Sequence, residues 1–187
     1  MFLFPDFFPA TPAIIQTVCE YSDQAGVDPP LVLGVIEQES HFDPTSEKYE
    51  DRYNDYSAGL MQLMTNTAIS LGFKSSGNVE TDKETLKADI NQNIFYGIKY
   101  LKSRMVTYKT MPLIDQVRCY NSGSPLSDSS PYYNDNQAYG NNVMTYYAKW
   151  QARLNLGTRS NLMENVVFAG VLGGMCIYLD RKLNTKG

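Results

Sequence analysis

The sequence predicts a mainly α-helical single domain, all-α or α+β. Three observations carry this. Apolar residues recur at helical spacing along most of the chain. Helix-starting and helix-stopping residues bracket those stretches. Strand signals are sparse, with room for one short hairpin in a polar loop. The chain has 187 residues, the size of one domain with a short appendage. Its composition is 43% hydrophobic and 19% charged, enough to bury a core without disulfides or metals.

The elements follow in order. The stretch "TPAIIQTVCEYSDQAG" opens with Thr11 as N-cap and Pro12 at the first helical position, and stops at Gly26. "DPPLVLGVIEQES" repeats the device, with Asp28 before Pro29 and Pro30. "LMQLMTNTAISLG" reads as a helix stopped by Gly72. "TDKETLKADINQNIFYGIKYLKSRM" reads as one long helix opened by a capping box, Thr81 with Glu84. Its apolar stripe is Leu86, Ile90, Ile94, Ile98 and Leu101. "PLIDQVRCYNSG" and "NQAYGNNVMTYYAKWQARL" complete the set. Between them lie two polar loops, "HFDPTSEKYEDRYNDYS" and "GSPLSDSSPYYNDN".

The two ends differ from the middle. "MFLFPDFFPATP" is apolar, but Pro5, Asp6 and Pro9 interrupt it and no basic segment precedes it. It reads as an arm packed on the domain, without a cleavable signal peptide. Residues 166–179, "VVFAGVLGGMCIYL", carry no charge. The run is short for a bilayer. Extension back to 162 brings it near spanning length, and Gly170 and Gly174 form a GxxxG. We divide the chain into a domain at 1–155 and a tail at 156–187, with a membrane-anchoring helix at about 162–179. A soluble core helix is the alternative. Lysine and arginine flank the run on both sides, so charge bias leaves its orientation open.

Charge and residue counts exclude several functions. A net charge of −4 and a pI near 5.0 argue against a nucleic-acid partner. One histidine, His41, builds no histidine-rich metal site, and no metal or cofactor is called for. Cys19, Cys119 and Cys176 have no knuckle or redox spacing, although a Cys19–Cys119 bridge is conceivable.

Chemistry concentrates in "GVIEQESHF". On a helix starting at Leu31, the apolar face centres near about 70°. Glu39 falls on it at about 80°, and Glu37 opposite at about 240°. Glu37 is therefore expected to be solvated and Glu39 to face the core at the helix C-terminus. Burial and the helix dipole both raise a carboxyl pKa there. An acid protonated near neutral pH can donate a proton to a leaving group. By helix geometry alone, a structurally paired glutamate fits as well.

The following segments add weight. Glu39–Ser40 is followed by "SAGLMQLM" from Ser57, "NIFYGIKYL" from Asn93, "CYNSG" from Cys119 and "YGNNVMTYY" from Tyr139. In this order and spacing, residues 12 to 150 resemble the soluble lytic transglycosylase family, itself similar to goose-type lysozyme. The resemblance implies an α+β lysozyme-like fold and a peptidoglycan-cleaving enzyme. Its bond is the β-1,4 link between N-acetylmuramic acid and N-acetylglucosamine, and its partner the glycan strand. Glu39 matches the catalytic acid/base. Gly59, Leu60, Met61 and Gln62 match the segment lining the cleft, flanked by Ser40 and Ser57. Tyr120 and Asn121 match the family's "AYN" segment, and Tyr139 the tyrosine opening its last helix motif. Cys119 stands where alanine is usual. The acidic stretch "EKYEDRYNDY", with Glu47, Glu50, Asp51 and Asp55, is longer than usual.

One carboxylate suffices for the transglycosylase reaction, which ends in a 1,6-anhydro ring. Hydrolysis with Asp51 or Asp55 as base for water is the alternative, and a non-catalytic glycan-binding or viral membrane protein is a further one. With the apolar tail as a lipid-bilayer anchor, the expected location is a bacterial envelope or the membrane of a lipid-containing phage particle.

Overall fold

A computed structural model describes residues 10–164, with side chains described to residue 155. The apolar N-terminal arm (1–9), most of the tail and its uncharged run at 166–179 lie outside the described residues. Among the described residues, seven helices and a small sheet follow in the order α1 (Pro12–Ala25), α2 (Pro29–Ser40), β1 (Glu47–Glu50), β2 (Asp55–Ala58), β3 (Leu63–Met64), α3 (Thr65–Ser70), α4 (Val79–Ala88), α5 (Ile90–Thr107), α6 (Leu113–Ser122) and α7 (Tyr133–Glu164).

Helix α2 forms the centre. Every residue from Pro29 to Ile36 is buried, including Leu33, which the helical wheel places away from the apolar face. A helix apolar on all sides belongs inside a domain. Helix α7 lies along α2 and sets how close the two come. A Cβ on Gly34 would sit 2.9 Å from the Tyr147 backbone nitrogen, so only glycine allows this approach. Two polar ties lock the pair. Tyr147 donates to Asp28 Oδ2 at 2.6 Å, and Trp150 Nε1 donates to Glu37 Oε2 at 2.7 Å. Glu37 is thus half-buried and corrects the expectation that it is solvated. Its position lies opposite the first apolar face, but α7 covers that side too.

Helix α1 is capped as expected. Thr11 Oγ1 accepts from the Ile14 nitrogen at 3.3 Å, and Gly26 ends the helix at φ 62°. Three other elements differ from the sequence reading. The "LMQLM" segment is not helical, and α3 begins only at Thr65. The long helix expected from Thr81 is two helices, broken at Asp89. Asp89 caps α5 by accepting from the nitrogens of Asn91 and Gln92. The capping box fails as well: Asn78 is the α4 cap, accepting from the Thr81 nitrogen at 3.0 Å. Asparagine competes well for that role. Accordingly Leu86 packs in one cluster, while Ile94, Ile98 and Leu101 pack in another. Helix α7 runs past residue 155, where the tail was taken to begin.

The polar loop does hold a hairpin. β1, β2 and β3 form one antiparallel sheet, with Glu47 opposite Ala58 and Ser57 opposite Met64. A separate small core underlies it, made of Ala58, Leu63, Ala68, Phe73 and Leu86. Cys19 and Cys119 are both buried and are not joined in a disulfide, so the conceivable bridge does not form.

Candidate active site

Glu39 sits in the last turn of α2. The helix ends one residue later because His41 and Phe42 both adopt positive φ, 50° and 66°, turning the chain towards the hairpin. The Glu39 side chain is half-buried overall. It lines a groove, yet protein packs closely around its carboxyl, and burial pushes the pKa up from 4.5 to about 7. Tyr139 opposes this by donating a 2.7 Å hydrogen bond to Oε1. The Glu50 charge pushes the pKa further up, and Lys48 pulls it down. Burial wins, so Glu39 is largely protonated in mildly acidic solution and remains substantially so near neutrality. Burial also holds the Tyr139 phenol well above its ordinary pKa. That phenol stays a hydrogen-bond donor.

The "GLMQ" residues form the turn between β2 and β3. Gly59 is at φ 75°, and a Cβ there would lie 2.4 Å from Asn93 Nδ2. Gln62 is also left-handed, at φ 44°. Three helices clamp the turn's backbone. Ser40 Oγ of α2 donates to the Leu60 carbonyl at 2.8 Å. Asn93 of α5 accepts from the Met61 nitrogen at 2.9 Å and donates to the Ala58 carbonyl at 2.8 Å. Tyr120 of α6 donates to the Met61 carbonyl at 2.8 Å. These bonds explain why "LMQLM" is not helical: its backbone groups are taken by distant side chains.

Together these segments bound a groove of about 930 Å³ between the helical body and the hairpin. Of the residues singled out from sequence, Glu39, Ser57, Gln62, Tyr120 and Asn121 line it. Ser40, Gly59, Leu60 and Met61 do not. They are buried beneath it and shape its floor. Tyr139 is buried behind Glu39 and reaches it through the hydrogen bond. Gln62 lines the groove while its amide donates to the Ser46 and Gly59 carbonyls, each at 3.0 Å.

The structure reassigns the acidic loop. Asp55 is wholly buried. It accepts from the Thr65 hydroxyl and from the Asn66 nitrogen at 2.9 Å. It ties β2 to the start of α3 and has no access to a substrate. Asp51 is exposed in the hairpin turn and does not line the groove. Glu50 does line it, paired with Lys48 at 3.0 Å. Glu50 belongs to the acidic stretch picked out from sequence, and it ends β1 directly opposite Asp55. Asn93 opens one of the segments that carry the resemblance, but its grip on the turn was not legible in the sequence. Among the described residues, no three His, Cys, Asp or Glu side chains gather as metal ligands.

Residues 16–140 match the family described as "Transglycosylase SLT domain". The chain belongs to this family. Among relatives of this SLT-domain chain is "Membrane-bound lytic murein transglycosylase C" of Edwardsiella ictaluri, 34% identical over 94 residues, half of this chain and 25% of that one. The protein of the same description from Mannheimia succiniciproducens is 29% identical over 116 residues, 59% of this chain and 31% of that one. The chain therefore spans only about a quarter to a third of these relatives. The X-ray structure of an inactive mutant of lytic transglycosylase Slt from Pseudomonas aeruginosa superposes with a TM-score of 0.60 at 20% identity, covering 80% of this chain and 25% of that one. The SLT-domain fold, mainly α and lysozyme-like, is thereby shared.

Proposed function

We propose that this chain is a peptidoglycan lytic transglycosylase with Glu39 as its one catalytic acid and base. One observation carries the reading: a carboxyl with pKa about 7, held by Tyr139, opens into a groove large enough for a glycan strand. The names of its relatives support the same substrate.

In this mechanism protonated Glu39 donates to the glycosidic oxygen between N-acetylmuramic acid and N-acetylglucosamine. The bond from C1 to that oxygen breaks, and the substrate's own N-acetyl group helps stabilise the cationic sugar. Glu39 is then a carboxylate, and the Tyr139 hydroxyl supports that charge. It next accepts the proton of the muramic acid C6 hydroxyl as the C6 oxygen bonds to C1. Glu39 ends protonated, no water is consumed, and the product carries a 1,6-anhydro ring. The nucleophile belongs to the substrate, so its proximity costs the enzyme no positioning of water. Ser57, Gln62, Tyr120 and Asn121 would contact the strand from the groove walls.

Glu50 favours a second reading. A carboxylate on the opposite wall of the same groove suits a base that activates water for hydrolysis. Mass spectrometry of a peptidoglycan digest by the full chain separates the two. Anhydro ends, about 18 Da lighter because no water is added, support the transglycosylase. Reducing ends support the hydrolase. Glu39→Gln, which keeps shape but removes the acid, should abolish either product and spare binding. Unchanged cleavage by this variant would remove Glu39 from the chemistry.

For location we propose association with a membrane through the run at 166–179. Its uncharged sequence supports this, as do relatives named as membrane-bound. Among the described residues no helix is long and apolar enough to cross a membrane, so the run itself carries the proposal. Flotation with lipid vesicles, with and without residues 160–187, tests it. Equal flotation of the two forms would sink it.

A further inference from the structure

We propose that Arg52, Tyr53 and Tyr132 form a rim subsite that grips a sugar ring bearing a carboxylate, so that acidic glycan strands bind in preference to neutral ones. This rests on the reading above, that the groove holds a glycan.

Exposed aromatic rings are costly to leave in water, and their placement is therefore informative. Tyr53 is 54% exposed and Tyr132 is 57% exposed. Both line the groove. They come from different parts of the chain, Tyr53 from the turn between β1 and β2 and Tyr132 from the loop before α7. The other exposed large apolar or aromatic side chains of the described residues, such as Tyr49, Ile69 and Phe95, do not line it. A pyranose ring presents an apolar face of C–H groups and an edge of hydroxyls. A tyrosine offers a matching apolar face and a polar tip, with few rotatable bonds to freeze. Two such rings lining one groove offer apolar faces to a sugar.

Arg52 adds charge. Its guanidinium lies 5.4 Å from the Tyr53 ring centroid, within cation–π range, so cation and ring act as one surface. Among the described residues no carboxylate pairs with it. The neighbouring Lys48 is spent on Glu50. Asp135, in the first turn of α7 just after Tyr132, also lines the groove and limits the net positive potential. Of the two groove-lining cations, Lys48 and Arg52, Arg52 is the one without a carboxylate partner among the described residues, and its planar fork suits a ligand carboxylate. Arg52 and Tyr53 sit in the acidic hairpin stretch, and Tyr132 in the loop before α7.

The test is equilibrium binding to the full chain carrying Glu39→Gln, which prevents turnover. One probe is a neutral hexamer of β-linked N-acetylglucosamine. The other is a strand of alternating N-acetylglucosamine and N-acetylmuramic acid with its peptides removed, which bears a free carboxylate on every second ring. Added Tyr53→Ala or Tyr132→Ala should weaken both probes about fivefold, while Tyr53→Phe retains binding. Added Arg52→Gln should weaken only the acidic strand, about threefold, and flatten its salt dependence. Equal or absent effects of Arg52→Gln on the two probes would overturn the charge recognition. Unchanged binding in both alanine variants would overturn the aromatic contacts. If neither probe binds, the glycan groove itself fails and this subsite with it. If binding follows the expected pattern but the Glu39-intact chain cleaves nothing, only the reaction is wrong.

Discussion

The groove has two unlike walls. The helical wall, α2 with α6 and α7, is made of buried apolar side chains, and its few polar groups, such as Glu39 with Tyr139, are paired inside. The sheet wall, β1 to β3 backed by α4, is small, with an exposed, charged β1 beside a mostly buried β2. Lys83 is its anchor, almost wholly covered yet within 3.3 Å of carboxylates on Glu47, Glu80 and Glu84, and 4.4 Å over the Tyr56 ring. Burial sets the acid strength of Glu39, because removing water penalises its charged form. Charge and aromatic surface, which need water on one side, lie on the other wall. On the proposed reading, one wall carries the chemistry and the other selects the strand.

The strongest way to break this contrast is Glu39→Gln. Cleavage should fall about a thousandfold with strand binding retained, as measured by product release and equilibrium binding. A variant that loses binding instead would place Glu39 among the gripping residues.

Next is the clamp that joins the walls. Asn93→Ala leaves the Met61 nitrogen and the Ala58 carbonyl without their partner, and should cost about 3 kcal/mol in denaturant unfolding. An exposed substitution on the sheet wall should cost far less. Equal costs would mean that the turn is held by something other than Asn93.

The pH dependence tests burial directly. The Glu39 pKa is raised on folding from 4.5 to about 7. Between those values the unfolded chain is ionised while the folded chain still holds its proton. Stability is therefore fully present below about pH 4.5 and falls as pH rises through about 7, by about 3 kcal/mol in all. Glu39→Gln should match the wild type at pH 4 and exceed it at pH 8 in melting temperature. Parallel melting curves across this range would show that Glu39 is not desolvated. Activity needing the protonated acid should decline above about pH 7. Tyr139→Phe removes a bond that favours the carboxylate, so it should move this decline to higher pH. Glu50→Gln removes a repelling charge and should move it lower.

The smallest effect is expected at Lys83→Met. The ion network should weaken but persist, because Lys87 still pairs with Glu47 and Glu84. Because the carboxylates are exposed, the loss should be modest and should appear as a raised KM with kcat nearly unchanged. A large loss of kcat would mean that the sheet wall also holds the acid in place.

Much of this was legible in the chain itself. The Thr11 cap, the Gly26 stop and the apolar stretch of α2 are local signals, and α1 and α2 formed where they lie, whereas the stripe from Leu86 to Leu101 is divided between two helices. The position of Glu39 on an apolar face was likewise local, since helix geometry needs only the adjacent residues. The motif order from Glu39 to Tyr139 carried the family. Tertiary structure alone decided the rest. Glu37 is drawn from solvent by Trp150, which lies 113 residues away in sequence. "LMQLM" has helical composition but yields its backbone groups to Ser40, Asn93 and Tyr120. Asp55 and Glu50 are both acidic loop residues, yet one is locked to Thr65 and the other opens on the groove. Spacing encodes which way a side chain points along its own element. Which group it meets there depends on elements brought together by burial of the two cores, and that is a property of the whole fold.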